Sequence, residues 1–74
     1  MKVYVAKILI EGRHYNNCSV KLSTDLNEIK NYATNQIDAF ADINGGKVTE
    51  RTDLRYVMLS NDIKVTIKIE EHEV

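Results

Sequence analysis

The sequence of 74 residues predicts an α+β domain of ββαββ order, in which one helix packs on one face of a four-stranded, mostly antiparallel sheet. Three observations carry this. Between residues 24 and 46 the apolar side chains Leu26, Ile29, Ala33, Ile37, Phe40 and Ile43 recur every three or four positions, one stripe along a helix of period 3.6. The segments before and after that stretch alternate with a period of two, and none repeats the helical spacing. Each flank is itself broken by turn-forming residues, Gly12 with Asn16-Asn17 on one side and Asn61-Asp62 on the other. A chain of this length makes a single domain over residues 1–74, close to the smallest that a hydrophobic core can hold together.

Residues 1–10 form the first strand. Tyr4, Ala6, Ile8 and Ile10 lie on one side and Val3, Val5 and Leu9 on the other, interrupted by Lys7; a strand apolar on both faces belongs inside its sheet. Residues 11–17 read as the turn of a hairpin. In the second strand Cys18, Val20 and Leu22 alternate with Ser19, Lys21 and Ser23, so the expected dry face is the cysteine, valine and leucine side. Thr24 or Asp25 caps the helix, Asp25 and Glu28 put negative charge near its positive end, and Asn44-Gly45-Gly46 supplies a left-handed residue to stop it. Residues 47–52 are polar, either loop or a short edge strand. Residues 54–60 and 63–69 then form a hairpin about Asn61-Asp62, two residues that tolerate positive φ. That turn pairs Met58 with Val65, Tyr56 with Ile67 and Leu54 with Ile69, and it sets Arg55, Val57 and Leu59 opposite Lys68, Thr66 and Lys64 on the other face. The expected strand order is 2-1-4-3, with 2-1-3-4 as the alternative.

A helix of about 19 residues is ~28 Å long, enough to cover one face of such a sheet and no more. The face left open is expected to carry an apolar centre of Val3, Val5, Leu9, Val57 and Leu59 ringed by Lys7, Lys21, Arg55, Lys64 and Lys68. The expected partner-binding residues are therefore Lys7, Lys21, Arg55, Lys64 and Lys68 for charge, with Val57 and Leu59 as anchors; loops 11–17 and 45–53 adjoin them. The face suits a protein or ribonucleoprotein partner, with nucleic acid or a second copy packed face to face as the rivals. Exposed aromatics for base stacking are missing from it, because Tyr4, Tyr56 and Phe40 are assigned to the core, Tyr32 to the helix flank and Tyr15 to a loop.

Composition excludes several classes. Net charge is −1, neither a basic nucleic-acid binder nor a strongly acidic mimic, although residues 1–22 sum to +3, 23–43 to −3, 44–69 to +2 and the tail to −3. No run of ~20 apolar residues is present to cross a membrane, and the alternating, lysine-bearing start does not read as a secretory signal. A cytoplasmic, reducing setting is expected, in which Cys18, the single cysteine, stays free and Asn17-Cys18-Ser19 is not glycosylated. His14 and Cys18 could meet as base and nucleophile, but no third group orients them; a buried cysteine beside a solvated histidine is the expectation. Asp38 and Asp42 fall on the wet side of the helix, and Glu70, Glu71, His72 and Glu73 read as a frayed acidic tail. No phosphate loop, nucleophile elbow or paired-cysteine metal motif is present, so neither catalysis, metal nor cofactor is expected.

Hairpin, helix and hairpin, opening on Met1-Lys2-Val3-Tyr4-Val5, resembles the β-grasp order of ubiquitin-like domains. The resemblance implies that the first and last strands lie side by side and parallel in the centre. The chain ends His72-Glu73-Val74 without a terminal Gly-Gly, so conjugation is not implied. A compact chain with seven asparagines, eight isoleucines, no proline and no catalytic motif also resembles, by type, the small phage-encoded inhibitors of bacterial defence, anti-CRISPR proteins among them. That resemblance implies a non-enzymatic protein that occupies a surface of a host nuclease complex; no residue is carried over from it. The rival function is a small nucleic-acid-binding regulator using the same sheet face.

Overall fold

The computed structural model describes residues 1–13 and 16–74. The chain runs β1 (Lys2–Gly12), β2 (Asn16–Ser23), α1 (Leu26–Asn44), β3 (Lys47–Arg51), β4 (Arg55–Leu59) and β5 (Ile63–Glu73). The strands form one sheet of order β2-β1-β5-β4-β3 in which every neighbouring pair is antiparallel. The expected order 2-1-4-3 is therefore present, extended by a fifth strand, because residues 47–51 pair with β4 as a short edge strand. The first and last strands are adjacent, as the β-grasp order implied, but antiparallel. Direction follows from the helix, which leaves one edge strand and returns the chain at the opposite edge, fixing the sense of β3, β4 and β5 in turn.

Asp25 is the N-cap of α1, its carboxylate accepting from the N–H groups of Asn27 (2.9 Å) and Glu28 (3.4 Å). Gly45 ends the helix at φ 63°, and the next amide, that of Gly46, donates to the carbonyl of Ala41 at 2.9 Å. The stripe buries Ile29, Ala33 and Ile37 against Ala6, Ile8, Tyr56, Met58, Val65, Ile67 and Ile69, with Leu26 and Phe40 packed at the ends. Ile43, the last member of the expected stripe, is 80% exposed. Arg51 ties the far edge to the helix through Asp38 at 2.7 Å.

Two expectations need correction and a third gains detail. Leu54 lies just before β4 and is exposed, although its carbonyl still accepts from Ile69 N–H at 2.8 Å. The β4–β5 turn falls about Asn61-Asp62 but uses none of the positive φ that those residues tolerate: Ser60 Oγ accepts from the amides of Asp62 and Ile63, so a hydroxyl braces it. Residues 70–73 are not a frayed tail. They complete β5 against β1 down to Lys2↔Glu73, held by Lys2–Glu71 (3.6 Å), by the N-terminal ammonium on Glu73 (3.2 Å) and by Val74 N–H on the Met1 carbonyl (2.8 Å).

Candidate functional site

All of α1 lies on one side of the sheet, so the cross-strand registers define what the other side presents. Cross-strand partners in an antiparallel pair share a face. Lys7 is opposite Lys68, and Lys68 opposite Arg55, which places three cations side by side across β1, β5 and β4. In the next row toward the β4–β5 turn Leu9, Thr66, Val57 and Glu50 follow one another, and beyond it Glu11, Lys64, Leu59 and Lys47. The register of β4 on β5 is the one expected from the sequence.

The outer cations of the row each meet a carboxylate, Lys7 that of Glu70, two residues along β5 from Lys68, at 3.0 Å and Arg55 that of Glu50 on β3 at 3.5 Å. Lys68 and Lys64 have no carboxylate within 4 Å among the described residues. The two ion pairs share a geometry. Glu50 is the cross-strand partner of Val57, and Arg55 is two residues from Val57 on its own strand; Glu70 and Lys7 stand in the same relation to Val5. Each pair bridges the flanks of a β-branched side chain. Val57 is 5% and Val5 9% exposed although no helix among the described residues covers that face. Val57 lies on the expected face but below its surface, whereas Leu59 remains 45% exposed.

Glu70 also meets His72 Nε2 at 3.2 Å. Hydrogen bonding to Lys7, and then to His72, holds its carboxyl below the ordinary range.

Lys21 is placed on the opposite side. β2 pairs with β1 so that Leu22 faces Val5, Val20 faces Lys7 and Cys18 faces Leu9, all on the open face. Ser19, Lys21 and Ser23 accordingly turn toward the helix, where the Lys21 ammonium lies 5.4 Å from the Tyr32 ring centre. Cys18 is exposed, not buried, and His14, its suggested catalytic companion, lies outside the described residues, as does Tyr15. The open face therefore gains Cys18, Val20 and Leu22 at one edge and Lys47 at the other, none of which was expected there. A depression of about 310 Å3 opens where the helix ends, between residues 45–47 and 60–61; Lys47 is the charged group on its wall.

No helix is long and apolar enough to cross a membrane among the described residues. Compared with known protein families, curated proteins and solved structures, the chain has no significant match.

Proposed function

We propose that the chain is a non-enzymatic binding protein that acts by occupying an acidic surface on a protein or ribonucleoprotein partner. The row Lys7–Lys68–Arg55 carries this reading. Like charges directly opposite one another weaken a sheet, and the central lysine has no counter-ion among the described residues to relieve it. A partner's carboxylates seated between the cations remove that repulsion, and the exposed side chains of Lys64, Leu9 and Leu59 extend the contact. Occupation of a host defence nuclease complex by a phage or mobile-element inhibitor is the biological form of such binding that the resemblance suggests.

The rival reading, a nucleic-acid-binding regulator, draws on the same cations but has little to stack bases on, since among the described residues the open face carries no Phe, Tyr or Trp and its one aromatic ring, His72, is engaged by Glu70. Titration of the labelled chain with a polyglutamate peptide, followed by amide shifts, tests both. Shifts are expected at Lys7, Lys64, Lys68 and Arg55, and Arg55→Glu/Lys68→Glu should weaken binding by about tenfold or more. Shifts confined to the helix or the loops, or unchanged affinity in the double variant, overturn the assignment. Tighter binding to arbitrary single-stranded DNA, falling steeply as salt rises, transfers the face to the rival.

A further inference from the structure

The two edges of the sheet are built differently. β3 has five residues, a bulge between Val48 and Glu50, and side chains committed elsewhere: Arg51 to the helix, Glu50 to Arg55. Short length, a bulge and fixed charges are the devices by which an edge refuses another strand. β2 is neither short nor bulged, and it carries a single charge. It is eight residues long and in continuous register with β1, with no bulge and no proline, and seven of its residues are exposed. Its one charge, Lys21, lies on the helix side over Tyr32, while Val20 and Leu22 stand on the open face at 56% and 61% exposure. The outer edge is left with a local substitute for a neighbour, Asn17 Oδ1 accepting from Cys18 N–H at 2.8 Å.

We infer that β2 pairs with β2 of a second copy, antiparallel about a two-fold axis at Val20, joining two five-stranded sheets into one. An axis normal to the sheet keeps each face on its own side, so only residues of like alternation can face each other. With the axis at Val20 the two Val20 side chains meet, Cys18 faces Leu22 of the second copy, Ser19 faces Lys21, and Asn17 faces Ser23. Apolar groups then meet apolar groups on the open face, and polar groups meet polar groups on the helix side. Moving the axis to Lys21 opposes two ammonium groups. Moving it to Ser19 sets Leu22 against Asn16. Self-complementarity in charge and in hydropathy thus selects a second copy, and this register, over a foreign strand.

The pairing stands without the functional reading above but enlarges it. Val20 is the cross-strand neighbour of Lys7, so the two cation rows fall into one line with the Val20 pair at its middle. At ~4.8 Å per strand the line from Arg55 to Arg55 spans about 34 Å on a single face. The two Lys7 side chains are about 14 Å apart, beyond a Debye length of ~8 Å, so their repulsion does not oppose the joint.

Sedimentation equilibrium of the full chain, at concentrations up to about 1 mM, tests the pairing. A concentration-dependent dimer is expected, and Val20→Lys, at an exposed position, should raise its dissociation constant by about tenfold or more while circular dichroism is unchanged. In a Cys18→Ser background, Val20→Cys should form an intermolecular disulfide with oxidised glutathione, which takes up the two electrons and two protons of the thiols; Leu59→Cys should not. A monomer at every concentration, a dimer indifferent to Val20→Lys, or equal cross-linking through Leu59→Cys overturns the inference, the last in favour of face-to-face packing.

Discussion

Gly45 and Gly46 follow one another and are needed for different reasons. Gly45 takes φ 63° with open space around its α-carbon, so a side chain there meets backbone strain and no neighbour. Gly46 has no such φ, but a β-carbon on it would sit 2.5 Å from Met58 Sδ and 2.6 Å from the Leu59 carbonyl oxygen. Met58 is fully buried and the carbonyl belongs to a strand, so neither yields freely. Gly45→Asn is expected to be nearly neutral, since asparagine tolerates the left-handed region, and Gly46→Ala to lose about 1–3 kcal/mol, both read from thermal unfolding. Equal losses at the two positions count against the close approach. Glu70 gives a pH dependence. Its folded carboxyl titrates below the ordinary value, so its contribution to stability is complete above the ordinary carboxylate range and is lost as pH falls through the depressed value. Glu70→Gln is expected to flatten the acid limb of the unfolding-temperature profile, and an unchanged limb argues against the Lys7 and His72 contacts as its source.

At the scale of elements, α1 is the part most fully written into the sequence. Its stripe, its cap and its stop are local, each set within a few residues, and Asp25→Ala is expected to cost about 1 kcal/mol with loss of helix content on heating. An unaffected melting curve means that the Asn27 and Glu28 amides are satisfied by water instead. The β4–β5 hairpin was equally legible, since two turn residues fixed which side chains face each other. β2 was not. Alternation says that Cys18, Val20 and Leu22 share a face but not which face it is; that depends on the number of residues joining it to β1, and a shift of one reverses every side chain. The apolar set looked like a core set, yet the helix finds its core on β1, β4 and β5 and leaves Ser19, Lys21 and Ser23 beneath its flank. β3 was ambiguous because its bulge breaks the alternation that marks a strand. The acidic end of β5 was masked by composition: Glu71, His72 and Glu73 have no apolar period, and their place in the sheet comes from partners at the opposite end of the chain.

At the scale of the molecule, one helix against five strands leaves a face whose own side chains must manage both its apolar atoms and its charge. Two bridging ion pairs shield Val5 and Val57, and they leave Lys68 as the cation between two others. Under the proposed binding role the arrangement sets stability against binding, and a single neutral substitution separates them. Lys68→Gln keeps a polar side chain, one atom shorter, while removing both cross-strand repulsions, each of which is worth roughly 0.2–1 kcal/mol. The variant is expected to melt a few degrees higher than the parent in low salt, since ~1 kcal/mol moves a domain of this size by roughly 4–8 °C. The gain should vanish in ~1 M salt, where the Debye length falls to about 3 Å. The same variant should bind polyglutamate less well. A lysine that only decorates the surface gives neither the salt-sensitive gain nor the loss; a lysine kept in place by an anionic partner gives both, and paired melting curves at low and high salt, set beside one titration, distinguish the two.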